Sequence, residues 1–492
     1  MSLIDTLFGS LRRHLAGFPD KRQGKSAGYP MADIGMGAFS AFFMQSPSFL
    51  AHQRQLAEGY GRSNLESLFG ITRIPTDNYI REMLDPASPD LLHPVFDEVA
   101  AQLQHLEGGL DTFRRLGNHV LIALDGTEYH CSEKIHCPDC STRTHGKEEA
   151  EKVESTEEPE KTEKTEKAAD TVMNNDNANV TDANTKTKTN TKTNKKGARK
   201  NSKNGKKNTE RTEYFHSMLA ATIVAPGHDK VIPLVPEFMT PQDGALKQDC
   251  ENRAAKRWLA SHGQSYADLN PVYLGDDLFS RQPLCEAVLA AGGHFLFVCK
   301  PSSHPLIQEY VTGIDLPRVE NKVRRGKTHV IHRYRWLNDV PLRDGKDALL
   351  VNWLEIEIVN PDGKVTYRNS FITDLPVGPN NVADLAACGR ARWKIENETF
   401  NVLKTKGYNL EHNFGHGKQN LASILVLLNL LAFAFHTLCD IGDELWRAAR
   451  AKQGPRYNFF AKLAGITAFL IFSSWRELLL TIAFAQPPPL PP

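Results

Sequence analysis

The 492-residue chain predicts an α/β fold, in which a mixed sheet carries helices, helical regions flank the core and a β-rich insertion interrupts it. Two observations predict it. Strand-like runs at residues 119–129, 214–224 and 230–238 follow one another, and the turn residues Ala225-Pro-Gly-His-Asp join the last two, so these three strands are expected to be antiparallel. The texture then alternates: a helix over 249–261, a strand over 272–275, a helix over 282–291 and a strand over 294–299.

The remaining elements follow in chain order. Residues 1–115 show apolar side chains at three- and four-residue spacing, as in 78–84 and 94–103, which predicts a separate N-terminal helical domain. Its Phe-rich stretch, 39–49, reads as core. The catalytic part is expected to begin over 116–300 and to be interrupted by a charged segment, 147–211. That segment has almost no large apolar side chains, so burial cannot offset its ordering entropy, and a solvated, disordered linker is expected. Its basic second part, from Lys186 to Arg211, also suits contact with nucleic-acid phosphates. Residues 301–385 alternate polar and apolar positions, with Asn360-Pro-Asp-Gly as a hairpin turn, and read as a β-rich insertion. A helix carrying Glu396 lies in the last part of the core, 386–440, and 441–492 form a helical C-terminus with a Pro-rich tail.

Composition excludes some classes. Eight cysteines in a chain this long are too few for a disulfide scaffold, and a reducing cytoplasmic location is expected. The first residues, Met-Ser-Leu-Ile-Asp, do not read as a signal peptide. The apolar run 421–439 approaches the length of a bilayer span, but Ser423, Asn429 and His436 interrupt it, so a buried core helix is expected and no membrane partner.

Three acids carry the chemistry. Asp125 ends an apolar strand in Val-Leu-Ile-Ala-Leu-Asp-Gly-Thr, Asp276 ends another in Val-Tyr-Leu-Gly-Asp-Asp, and Glu396 lies in Arg-Trp-Lys-Ile-Glu. Carboxylates gathered from distant segments suit hard cations such as Mg²⁺ or Mn²⁺, and two such ions stabilise the attacking and leaving oxygens of a displacement at phosphorus. On an ideal helix Arg392, Glu396 and Lys404 share one face, which suits a metal site beside a phosphate backbone. Lys300, at a strand end, is a further candidate phosphate contact. Asp277 and Glu398 compete with Asp276 and Glu396 as ligands.

These residues resemble the bacterial insertion-sequence transposases of the DDE superfamily, in the group with a Tyr-Arg-Glu-Lys signature. The resemblance rests on Leu124-Asp125-Gly126-Thr127, on Gly275-Asp276-Asp277-Leu278-Phe279, and on Arg392-Trp393-Lys394-Ile395-Glu396 with Phe400 and Lys404, and it covers roughly residues 115–440. Gly389 stands where the group has its tyrosine, and Lys404 follows Glu396 one residue later than in the group. The resemblance implies an RNase H-like core, catalytic Asp125, Asp276 and Glu396 holding two Mg²⁺ or Mn²⁺ ions, and double-stranded DNA as partner, bound by a homodimer. The implied reaction is hydrolysis at transposon ends followed by attack of the freed 3′-hydroxyl on target DNA. A nuclease that cuts without joining, and a DNA-binding remnant, are the rival readings.

A second group of residues, unrelated to the acids, lies between the first two strands. Cys137-x-x-Cys140 is a close thiolate pair, and Cys131 with His145 or His136 completes the donors for a structural Zn²⁺; free thiols in a loop are the alternative. His412 and His416 are expected to serve the loop's structure.

Overall fold

The computed structural model describes residues 2–22, 28–55, 63–73, 75–145, 211–244 and 247–485. The charged segment expected over 147–211, apart from Arg211, and the Pro-rich tail at 487–492 lie outside the described residues.

The strands are β1 (Arg114–Arg115), β2 (His119–Ser132), β3 (Ser141–His145), β4 (Arg211–Val224), β5 (Ile232–Pro233), β6 (Glu237–Phe238), β7 (Pro271–Gly275), β8 (His294–Val298), β9 (Arg318–Arg325), β10 (Thr328–Pro341), β11 (Leu350–Val359) and β12 (Val365–Thr373). All belong to one 12-stranded mixed sheet in the order β3-β4-β2-β7-β8-β12-β11-β10-β9, with β1 on β2 and β5 and β6 on β4. The α/β class expected from the sequence is therefore observed. Strands β2, β7 and β8 run parallel and the other pairs antiparallel.

Local chemistry explains the pattern. The parallel centre is apolar on both faces: Val120 to Leu124, Val272 to Leu274 and Phe295 to Phe297 are fully or almost fully buried, as a sheet covered on both sides requires. The run expected as one strand over 230–238 is two short strands, because Pro233 and Pro236 have no N–H to give to a continuous ladder. The β-rich stretch after residue 301 continues the same sheet, with β12 pairing antiparallel to β8.

The N-terminal helices, Leu3–Ala16, Met31–Phe43, Asn64–Phe69, Asp77–Leu84 and His93–His105, share a core with the C-terminal helices Leu421–Gly442, Glu444–Gln453, Arg456–Phe469 and Trp475–Phe484. The Phe8 ring meets Phe43 at 4.9 Å, Phe69 at 5.3 Å, Phe39 at 5.4 Å and Trp475 at 6.0 Å between centroids. Polar bonds cross the same boundary. Asn64 Nδ2 donates to the Thr467 and Leu470 carbonyls, and Asn64 Oδ1 accepts from Phe472 N–H.

Helix Leu421–Gly442 is long and apolar enough to cross a bilayer by length and composition, and 89% of its most apolar window is buried inside the protein. The polar residues that interrupt it each find a partner there, although Asn429 Oδ1 and His436 Nε2 stay buried without one. Asn429 Nδ2 donates to the Tyr408 carbonyl at 2.9 Å, and His436 Nδ1 and the Tyr408 hydroxyl are 2.6 Å apart. Burial thus accounts for its apolarity.

Candidate active site and metal centre

Parallel pairing brings the first two acids near one another. Val120 pairs with Pro271 and Ala123 with Leu274, so Asp125 on β2 and Asp276 just past the end of β7 both lie beyond the last paired residues, near enough for the Asp276 charge to reach Asp125. Beyond β7 the chain turns at once. A side chain at Gly275 would meet the buried Phe279 ring at 2.8 Å, so glycine lets that aromatic fold back over the strand end. The two adjacent acids then part. Asp276 Oδ1 accepts from Leu278 N–H at 2.9 Å, whereas Asp277 accepts from Lys300 N–H and the Ser303 hydroxyl, both at 2.6 Å, and so fastens the loop after β8.

Glu396 comes from a helical segment whose hydrogen bonding widens to a π turn over Ile395–Phe400. Such turns are frequent at functional sites, and they rotate every side chain that follows relative to an α-helix. Arg392 Nη1 lies 2.8 Å from Glu396 Oε1 and 3.6 Å from Asp125 Oδ2, which puts a largely buried guanidinium between the two carboxylates. Glu398 has no part in this pairing. The rotation corrects one expectation: Lys404 does not join Arg392 and Glu396 but pairs with Glu411 at 2.9 Å. Lys300 is exposed at the end of β8 and is tied in through its backbone N–H.

A fourth acid belongs to this group. Glu251, on the helix Lys247–His262, is 2% exposed, and its carboxylate packs where a side chain at Gly126 would stand. It shares the buried stripe of Ala254, Ala255 and Trp258, so an acid on an otherwise apolar helical face was the readable signal. Burial pushes Asp125 up to about 7; the Arg392 cation opposes this, and the Glu396, Glu251 and Asp276 carboxylates add to it. Among the described residues, the oxygens of these acids do not gather as closely as a metal-holding group does, so the carboxylates lie near one another without forming a closed set of ligands.

Gly389 has a packing reason. Any side chain there would sit 2.7–3.0 Å from ring carbons of Phe371 on β12, closer than a Cβ tolerates, so the helix Val382–Arg390 can approach the sheet only with glycine. Gly389→Ala is expected to cost about 1–3 kcal/mol, read from the denaturant midpoint. An unchanged midpoint would show that the ring moves aside freely.

The tight cluster of ligand atoms lies elsewhere. Among the described residues, Cys137, Cys140, His216 and His416 offer donor atoms that all lie within 4.8 Å of one another. The two Sγ atoms are 3.8 Å apart, His216 Nε2 is 3.4 Å from Cys137 Sγ and 3.3 Å from Cys140 Sγ, and His416 Nε2 is 3.4 Å from Cys140 Sγ and 3.1 Å from His216 Nε2. Burial, with His416 and His130 nearby, pulls His216 down to about 4, which keeps its imidazole neutral as ligation requires.

Two of the four sequence-expected zinc ligands are therefore corrected. Cys131 is exposed and sits 3.7 Å from Glu213 Oε2, and His145 pairs with the same carboxylate at 3.2 Å. His136 stacks on Tyr214 instead. The strand β3 lies antiparallel on β4, which carries residues 141–145 away from the thiols and brings His216 towards them. His416, expected to serve the loop's structure, is one of the four clustered donors.

Neither a protein-family model nor a curated protein matches this chain.

Proposed function

We propose that the chain is a DDE transposase with an RNase H-like core, cutting DNA at transposon ends and joining the freed 3′-hydroxyl to target DNA. The observation that carries this reading is the placing of Asp125 and Asp276 at the adjoining ends of the parallel strands β2 and β7, with Glu396 joined to Asp125 through Arg392. The central strand order β4-β2-β7-β8, with β2, β7 and β8 parallel, supports it. In this reading Asp125, Asp276 and Glu396 hold Mg²⁺ or Mn²⁺. When bound, such ions activate the attacking oxygen and stabilise the leaving one. Glu251 acts from behind, crowding Asp125 and sharpening the demand for a cation. Arg392 holds Glu396 against that group and neutralises part of its charge. Lys300 and the basic residues before Arg211 are offered to the phosphate backbone of duplex DNA.

The test is a cleavage and strand-transfer assay with Mg²⁺ or Mn²⁺ on DNA bearing the inverted repeats that flank the coding sequence. Joined products from the wild type, lost in Asp276→Asn and Glu396→Gln, are expected. Nicks without joining would replace the reading with a nuclease, and DNA binding without any cleavage would replace it with a catalytically silent binder.

A further inference from the structure

We infer that Cys137, Cys140, His216 and His416 bind one Zn²⁺ as a structural clip that fastens the 412–420 loop to the β2–β4 end of the sheet. The inference stands apart from the acid site and does not depend on it.

Geometry carries it first. Zinc bonds of about 2.3 Å to sulfur and about 2.0–2.1 Å to nitrogen at tetrahedral angles require edges of about 3.8 Å between sulfurs, about 3.5 Å between sulfur and nitrogen and about 3.3 Å between nitrogens. Five of the six edges are 3.8, 3.4, 3.3, 3.4 and 3.1 Å, each within about 0.2 Å of what zinc needs, and the sixth, from Cys137 Sγ to His416 Nε2, is no longer than 4.8 Å. Donor chemistry comes second. Two thiolates and two imidazoles select zinc over Mg²⁺ or Mn²⁺, whose preference is oxygen. The third support is an outer partner: with its proton on Nδ1, His416 donates to the Gly417 carbonyl at 2.9 Å, which leaves Nε2 free to ligate. With four protein donors the site keeps no open position for substrate, which marks it as structural.

The arrangement also shows what such a clip would hold. Cys137 and Cys140 precede β3, His216 lies on β4, and His416 lies 276 residues beyond Cys140 in the connection from the Glu396 segment to helix Leu421–Gly442. The far side of that connection is gripped by the N-terminal helices. Asp85 accepts from the N–H groups of Lys418, Gln419 and Leu421, and Arg81 Nε donates to the Phe414 carbonyl at 2.7 Å. Gly417, at φ +73°, gives the Asp85 carboxylate the space a side chain would fill. Zinc would thus join the sheet to a loop that the N-terminal helices already hold.

Elemental analysis of the purified, dialysed full chain should find one zinc per chain, and Co²⁺ exchanged into the site should give the intense visible absorption of a tetrahedral thiolate centre. Cys140→Ser and His416→Ala should lose the metal, whereas Cys131→Ser, His145→Ala and Asp125→Asn should keep it. His416→Cys, which restores a donor, should recover zinc and so separates lost ligation from misfolding. In the wild type, a chelator should release zinc, make two thiols reactive together and raise hydrogen exchange across 412–420. A wild type that binds no zinc, or zinc retained at full content in His416→Ala, would overturn the inference.

Discussion

Asp125→Asn is expected to lower Mg²⁺-dependent cleavage of transposon-end DNA by on the order of 10³-fold, because removing a metal ligand takes away several kcal/mol of transition-state stabilisation. DNA affinity should be unchanged, since asparagine keeps the shape and Asp125 is largely buried beneath Arg392. The same substitution should stabilise the metal-free protein. Folding raises the Asp125 pKa from the 3.8 of an ordinary aspartate to about 7, so ionising it at neutral pH opposes folding. Below pH ~4 the carboxyl is protonated in both states and wild type and variant should differ little. From pH ~4 up through 7, wild-type stability should fall progressively relative to Asp125→Asn, by on the order of 1–3 kcal/mol in all, and then level off. Mg²⁺ should then raise the melting temperature of the wild type and leave the variant where it is. Equal loss of binding and cleavage, or a variant less stable at pH 8, would remove Asp125 from the metal site.

That pairing of lost activity with gained stability is what a functional acid cluster predicts and a structural one does not. An acid retained for the fold would be held in its charged state by donors, and its removal would weaken the protein. The surroundings of Asp33 differ from those of Asp125: Arg12 and both the N–H and hydroxyl of Thr72 donate to its carboxylate. Asp125 has Arg392 at 3.6 Å and three carboxylates in its surroundings, a balance that a proton or an added cation improves.

Much of the sheet was legible from sequence because its signals are local. The strand expected over 272–275 is observed as Pro271–Gly275, the helix expected over 282–291 as Gln282–Ala290, and the hairpin around Asn360-Pro-Asp-Gly joins β11 to β12. Asp125 and Asp276 were readable for the same reason, as acids that end apolar runs. What local pattern could not supply was phase and distance. The π turn displaces Lys404 from the face a uniform helix would give it, and nothing in the spacing of Arg392 and Glu396 announces that turn. His216 and His416 lie 76 and 276 residues from Cys140, so only the pairing of β3 with β4 and the docking of the 412–420 loop bring them to the thiols. Cys131 and His145 were nearer in sequence and are turned towards Glu213 instead.

Phe43→Ala is expected to destabilise the whole chain by about 3–5 kcal/mol, the range for removing a large buried ring. Its ring is fully buried and meets Phe8 at 4.9 Å and Phe39 at 5.6 Å within the N-terminal helices, but also His436 at 4.3 Å, Trp475 at 5.3 Å and Trp446 at 6.0 Å from the C-terminal ones. The cavity therefore opens between the two ends of the sequence. If those ends fold as one cooperative unit, the variant should show a single unfolding transition at lower denaturant, seen alike by fluorescence and far-UV circular dichroism. Phe469→Ala, at a ring 88% exposed on a neighbouring helix, should move the midpoint by no more than about 0.5 kcal/mol and so controls for loss of an aromatic as such. A Phe43→Ala protein with two separated transitions, only the weaker one shifted, would show that the N-terminal helices fold on their own and merely lean on the rest. A single shifted transition would mean that any movement of these helices must carry the central helix Leu421–Gly442 with it, and with that helix the loop held by Asp85.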